Sequence, residues 1–330
     1  MLTLPLEKIT EVSKETFEGK ALKIFHHQYQ HNDIYKKFVD LVGKDRQNIN
    51  SLDQIPFLPI SFFKSHTIKT TAFKEMLVFE SSGTTGSVSS RHFLKNQSIY
   101  ENSFLNGFEQ FYGPAHQYCF LAVLPSYLES GSSSLVYMTK KLMEKSAHPM
   151  NGFFLEDFEN LHNTLQKLEE QKQKIILIGV TYALLDFAAL YPQPLKQTIV
   201  METGGMKGRK EELVRSEVHE RLKKAFCVAG IHSEYGMTEL LSQAYAMKDG
   251  IFYTPQWLKI ILREEDDPKQ LIIKTAVPKT GLINIIDLAN IYSCSFIATD
   301  DVGRLHPDES FEVLGRMDNS DIRGCSLLAG

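Results

Sequence analysis

A single tryptophan, four cysteines and no long apolar run are what these 330 residues leave out, and each shortage closes a possibility. Cys119, Cys227, Cys294 and Cys325 stand far apart, with no Cys-x-x-Cys pair and no zinc spacing. Neither a disulfide framework nor a metal knuckle is written in that pattern, which suits a reducing, cytoplasmic setting. No stretch comes near the roughly 18 apolar residues of a membrane span. Met1 to Glu7 lack the apolar core of a signal peptide. With 36 basic and 40 acidic residues the formal charge is −4, so no basic surface is offered to a nucleic acid. No repeat or low-complexity tract is present. The remainder, 43% apolar and 23% charged, is that of a globular chain long enough for two or three subdomains.

The first fifty or so residues read as helical. Phe25, Tyr29, Ile34, Tyr35, Phe38, Val39 and Val42 recur at three- and four-residue spacing. His26, His27 and His31 share this region; without a Cys or acidic companion they read as a solvated helix face rather than a metal site. Two prolines then impose an extended path on Ile55 to Lys64, a segment expected to pack across the body and deliver Lys64. Beyond it, strands alternate with helices: Met76–Phe79, helix Ile99–Phe111, Tyr118–Leu124, a helix burying Leu161, Leu165 and Leu168, Lys174–Val180, Thr198–Met201, and a charged helix from about Lys210 to Phe226. Such alternation predicts crossover units and a largely parallel sheet. From about residue 250 short apolar runs with turns (Leu271–Ile273, Leu282–Ile286) predict a smaller antiparallel or barrel-like part. The expected division is 1–75, a helical region packed on the body; 76–250, an α/β nucleotide-binding core; and 251–330, a small β subdomain with a tail.

Four polar clusters follow predicted strands. In Ser81-Ser82-Gly83-Thr84-Thr85-Gly86, two glycines let successive N–H groups turn toward one anion, hydroxyls add donors, and Arg91 adds charge nearby. That chemistry suits a polyphosphate, although such a run is also what a plain surface loop looks like, and no Gly-Lys-Ser/Thr makes it a Walker loop. Glu202 to Arg209 carries Gly204 and Gly205, which let a planar ring lie against the backbone, and Lys207, which can face phosphate. Ser233 to Glu239 offers an aromatic for stacking, a hydroxyl, and a carboxylate suited to Mg²⁺. Ala298 to Arg304, with Gly315 to Asp318 after it, places carboxylates at a strand end, where vicinal ribose hydroxyls are well matched. Singly, each is as readily structural punctuation.

In this order the clusters resemble the adenylate-forming superfamily of acyl-CoA synthetases, adenylation domains and luciferases. The resemblance runs from about residue 75 to the end. It implies an α/β architecture of mostly parallel sheets flanked by helices with a small β-barrel-like subdomain, and ATP and Mg²⁺ as cofactors. It also implies roles: Ser81 to Gly86 on the β- and γ-phosphates, Tyr235 on adenine in a Tyr-Gly-x-Thr-Glu motif with Gly236, Thr238 on the α-phosphate, and Glu239 on Mg²⁺. Asp301 takes the ribose position, with Asp300 where the family has glycine, and Arg316 takes the hinge arginine.

Full-length members continue for about a hundred residues past the hinge into a mobile domain with a catalytic lysine. Here Arg316 is followed by fourteen residues. That brevity, with Cys325 near the end, resembles the LuxE-type acyl-protein synthetases of bacterial bioluminescence. The likeness implies activation of a carboxylic acid of the fatty class as acyl-adenylate, transfer to Cys325 as a thioester, and delivery to an acyl-CoA reductase-like partner. Arg323 favours a thiolate at Cys325, while a chance cysteine in a frayed terminus is the plainer reading of the same residues. Lys207, Arg91 and Lys64, in that order, are candidates for the missing cation. Cys119, Cys227 and Cys294 lie among apolar neighbours and are expected in the core. Two alternatives stand beside this reading: a shortened aryl- or acyl-CoA ligase of the phenylacetate type, and a non-catalytic adenylate-binding protein. The acyl pocket is not legible; Tyr127 to Leu135 is a candidate wall, and a helix N-terminus explains its serines equally well.

Overall fold

The computed structural model describes residues 11–81, 88–124, 132–154, 157–204, 213–265, 267 and 270–317. Within these the chain forms two compact units. One comprises residues 76–91 and 96–255, the other residues 1–75, 92–95 and 256–330.

The first unit is built on a parallel sheet. Its strands run in the order Gly152–Phe153, Cys119–Val123, Ile175–Val180, Thr198–Thr203 and His232–Tyr235, each parallel to its neighbour. Ala244–Ala246 and then Phe252–Tyr253 extend it antiparallel. A parallel sheet is covered on both faces, and its strands accordingly read as unbroken apolar runs: every residue of Ile175–Val180 and of Cys119–Val123 is buried. Helix Phe158–Glu170 buries Leu161, Leu165 and Leu168, the face its spacing predicts. Helix Gln97–Tyr112 matches the expectation to within two residues. Ser133 caps helix Ser134–Ser146, its hydroxyl accepting from the Val136 N–H at 3.4 Å, which accounts for one of the serines near the candidate acyl wall.

The second unit is antiparallel. Leu271–Ile272, Leu258–Arg263, Lys279–Asp287, Phe296–Leu305 and Phe311–Arg316 pair in that order. The proline-bounded segment adds Leu58–Pro59 in parallel beside Phe296–Leu305, with Leu58 opposite Ile297. Helix Lys14–His31 and helix Asp33–Leu41 pack in this unit through aromatic rings: Phe25 and Tyr35 both meet Phe296, at 6.2 and 6.0 Å between centroids. Gln28, wholly buried, bonds the backbone of a distant turn. Its amide nitrogen donates to the carbonyls of Asn290 and Ile291 at 3.0 and 3.1 Å, and its oxygen accepts from the Ser295 N–H at 3.0 Å.

One expectation is corrected. Cys119 and Cys294 are buried, but Cys227 is exposed. It follows helix Arg215–Phe226 in the left-handed conformation (φ 52°), and that cap turns its side chain outward despite the apolar residues beside it. Among the described residues no group of three or more His, Cys, Asp or Glu side chains is arranged to hold a metal ion, and no helix is long and apolar enough to cross a membrane.

Gln28→Leu keeps the volume but strands two carbonyls and one N–H in the interior. Each orphaned group costs about 1–3 kcal/mol, so chemical denaturation should show a loss of several kcal/mol. A change under about 0.5 kcal/mol, the size of an ordinary surface substitution, would mean that these bonds contribute little.

Candidate functional site

Polar side chains gather where the parallel strands end, and register decides which face each occupies. Val123, Gly179, Glu202 and Ser233 stand in one row across four strands. One residue further, Val180, Thr203 and Glu234 form the next row. Successive strand residues point to opposite faces, so Glu202, Ser233 and Tyr235 share one face while Thr203 and Glu234 share the other. The carboxyl ends of strands in such sheets are where ligands bind.

Glu202 is 3% exposed and ionised. Arg215 donates through Nε at 3.1 Å, His219 Nε2 lies 3.6 Å away, and the Thr181 hydroxyl donates to the other oxygen at 3.1 Å. Burial pushes its pKa up, but the hydrogen bond to His219 and the charge of Arg215 outweigh it and hold the carboxyl below its ordinary value. Gly204 then turns with φ +75°, a conformation that favours glycine.

Glu234 has the opposite fate. No cation faces it in the described network; the Thr203 hydroxyl donates to one oxygen. Burial, helped by the nearby charge of Glu202 and opposed by Thr203, pushes its pKa from 4.5 to about 7. Its other oxygen lies 2.5 Å from where a Cβ on Gly236 would stand, so a side chain there would have to displace the carboxyl.

The next residues are the Tyr-Gly-x-Thr-Glu motif. Tyr235 ends its strand half-buried, its ring edge-on to Phe252 at 5.9 Å. Gly236 and Thr238 are half-buried. A turn closed by the Leu240 N–H on the Met237 carbonyl at 3.1 Å follows, and Glu239 is drawn in to 5% exposure. In the same unit, Ser81 closes the base of the candidate phosphate loop. Its N–H donates to the Ser90 carbonyl at 3.0 Å and its Oγ accepts from the Ser90 N–H at 2.9 Å. Ser82, Gly83, Thr84, Thr85, Gly86, Gly205, Lys207 and Cys325 lie outside the described residues. Arg91 is exposed.

In the antiparallel unit Asp301 is half-buried on Phe296–Leu305, its N–H donating to Thr299 Oγ1 at 3.2 Å. Asp301 is opposite Arg316 in register, but the Arg316 guanidinium pairs with Asp300, at 3.5 Å. Both of those side chains are 54% exposed, so the pair contributes little. Lys64 is exposed on the short helix Phe62–Ser65. Glu202, Thr203 and Glu234 fall within two of the polar clusters read from sequence but carry no role there, and Arg215 and His219 lie outside those clusters. The signal for them is an acid closing an apolar strand, as in Ile199-Val200-Met201-Glu202, where a surface position would be expected for the charge.

The fold is that of the adenylate-forming enzymes. The O-succinylbenzoate coenzyme A synthetase of Bacillus subtilis, solved with AMP, superposes with a TM-score of 0.51 at 16% identity, over 75% of this chain and 50% of that one. The amide bond synthetase of Marinactinospora thermotolerans gives 0.51 at 15% identity, over 73% and 49%. The chain thus spans about half the length of these solved structures. Within that class, the family model of the LuxE acyl-protein synthetases matches residues 2–329, and the chain belongs to this family. Two relatives are long-chain-fatty-acid–luciferin-component ligases. That of Aliivibrio fischeri is 22% identical, over 99% of this chain and 91% of its own length. That of Vibrio harveyi is 23% identical, over 92% and 84%. Membership makes the chain an ATP-dependent ligase that activates a carboxylic acid.

Glu234 gives this site a measurable pH signature. Between its ordinary 4.5 and about 7 the folded protein keeps a proton that the unfolded chain has released. Stability therefore falls as pH rises through that window, toward a cost on the order of 3 kcal/mol once the buried group must ionise. Glu234→Gln removes the effect. Its unfolding midpoint should rise relative to the parent between about pH 5 and pH 8. Parallel pH curves for the two proteins would show that Glu234 does not titrate as argued.

Proposed function

We propose that this enzyme activates a long-chain fatty acid as acyl-adenylate and then carries the acyl group on its own Cys325, for delivery to an acyl-CoA reductase-like partner in the cytoplasm. The observation that carries the reading is the family match across residues 2–329, together with an intact Tyr235–Glu239 motif in which Gly236 leaves room for the Glu234 carboxyl. The substrate class is supported by the names of the two bacterial relatives.

In the first step a carboxylate oxygen attacks the α-phosphorus of ATP. A new O–P bond forms, the bond to the β-phosphate oxygen breaks, and pyrophosphate leaves. The loop from Ser81 through Ser82, Gly83, Thr84 and Thr85 to Gly86 receives the β- and γ-phosphates. Thr238 contacts the α-phosphate, Tyr235 stacks on adenine against the Gly204–Gly205 backbone, Asp301 accepts from the ribose hydroxyls, and Arg316 acts at the hinge. Glu239, an oxygen ligand on a buried turn, is the residue suited to Mg²⁺. When bound, that ion neutralises charge on the departing pyrophosphate. Lys207, or after it Arg91 or Lys64, supplies the remaining positive charge. In the second step the Cys325 thiolate attacks the acyl carbonyl. A C–S bond forms, the C–O bond to phosphate breaks, AMP leaves, and the thiol proton passes to solvent.

The apolar cavity on the Thr203–Glu234 face of the parallel sheet, walled by Phe108, Met138, Leu142, Ile178, Met201 and Tyr245, has room of about 10 Å³, the space of one water, and holds no acyl chain.

The carrier step is tested by intact-protein mass spectrometry after incubation with ATP, Mg²⁺ and fatty acid. Cys325→Ser should release pyrophosphate at the parental rate yet gain no hydroxylamine-labile acyl mass, because a serine hydroxyl is a far weaker nucleophile than a thiol unless a base activates it. Cys227, the exposed cysteine, is the control: Cys227→Ala should label like the parent. An adduct that persists in Cys325→Ser, or a product found only as acyl-CoA when coenzyme A is added, overturns the covalent-carrier role.

A further inference from the structure

Arg215 opens helix Arg215–Phe226 and is held from two directions. Its Nε donates to buried, ionised Glu202 at 3.1 Å, and its guanidinium carbon stands 5.1 Å over the centre of the Phe252 ring. Phe252 is wholly buried, and its ring meets the Tyr235 ring at 5.9 Å and 63°. Register explains the meeting. Phe252 is opposite Ala246, Ala246 is opposite Ser233, and Tyr235 is two residues beyond Ser233, so both rings stand on one face. Space for the arginine is built in as well. Gly250 sits at φ +69°, and a Cβ there would come within 3.3 Å of Arg215 Cδ.

We infer that Arg215 is a positioning residue for nucleotide binding, fixing the Tyr235 ring through Phe252. The inference rests on the reading that Tyr235 stacks on adenine. A half-buried tyrosine at a strand end has rotamers to choose among, and a stacking platform works only in one of them. An edge-on ring selects that rotamer only if it is itself fixed. Arginine fixes it because a planar guanidinium covers an aromatic face while its Nε stays bonded to a carboxylate. Glu202, ionised and buried on the same face, keeps the guanidinium in place. The chain Glu202–Arg215–Phe252–Tyr235 thus transmits the rigidity of the sheet to the ring.

The test is ATP dependence of acid-driven pyrophosphate release in Arg215→Ala, Phe252→Leu, Tyr235→Ala and the double variant Arg215→Ala/Tyr235→Ala. Losing the stacking ring should raise the KM for ATP on the order of tenfold. Arg215→Ala and Phe252→Leu should each raise it several-fold, with kcat changed less than about twofold. The double variant should be no worse than Tyr235→Ala alone, because the arginine acts through the ring. Phe252→Leu leaves the Glu202–Arg215 pair whole, so it remains informative if Arg215→Ala folds poorly. A merely structural role would lower the amount of active enzyme, and with it the apparent kcat, without moving KM. Parental KM in Arg215→Ala and Phe252→Leu, alongside a raised KM in Tyr235→Ala, overturns this inference and leaves the adenine contact standing. Effects that multiply in the double variant overturn it too. Parental KM in Tyr235→Ala removes the adenine contact itself, and the inference with it.

Discussion

Two glutamates on neighbouring parallel strands, offset by one residue, set the terms for the rest of this structure. Glu202 is in register with Ser233, and Thr203 with Glu234. The offset puts the carboxylates on opposite faces of the sheet, so that one pool of cations cannot serve both. Glu202 takes Arg215 and His219 and keeps its charge. Glu234 takes a hydroxyl and gives its charge up near neutrality. A same-face arrangement would oblige two buried anions to share one environment, which raises one pKa steeply. Parity gives each acid its own partners, leaving burial as the main cause of the raised Glu234 pKa and the charge of Glu202 a lesser one, and neighbouring residue choices accompany it. Gly236 leaves the space that a Glu234 oxygen fills, and helix Arg215–Phe226 presents its first turn to the strand end, where Arg215 meets Glu202.

Much of the architecture is legible because a parallel sheet buries whole strands. Ile175–Val180 announces itself as an apolar run, and Leu161, Leu165 and Leu168 announce a helix face. Where the reading stops short, charge is the reason. The strand expected to end at Met201 continues through Glu202 and Thr203, since partners on both sides hold the backbone in the ladder and Arg215 answers the acid. Helix Arg215–Phe226 starts later than the charged pattern implies; Val214 before it is extended. Cys227 looks like core by its neighbours and is exposed by its backbone, and backbone sign is not written in hydropathy. The Gln28 bonds are invisible for another reason. Their partners lie 262 and more residues away, and no local period reports such a pairing.

The site divides along the same line. Tyr235, Gly236, Thr238 and Glu239 are adjacent in sequence, so their pattern carries them. Arg215 and Phe252 come from a charged helix and a two-residue strand, and each alone reads as ordinary. Only register and a ring geometry bring them to the tyrosine. The residues legible from sequence are thus those contiguous with the motif, and the residues that hold them in place are not.

Strand parity also sorts what each face of the sheet end can do. Tyr235, Ser233 and Glu202 occupy one face; Met201, Thr203, Glu234 and Tyr245 occupy the other, among packed apolar side chains. On the proposed function the nucleotide meets the first face, and there the buried acid has its charge tied to Arg215 and His219, so no loose carboxylate stands against the phosphates. On the second face the partner of Glu234 among the described residues is the Thr203 hydroxyl, and burial raises its pKa to about 7. A neutral carboxyl costs far less to bury than an unpaired anion, so below about pH 7 that face packs as core directly behind the nucleotide face.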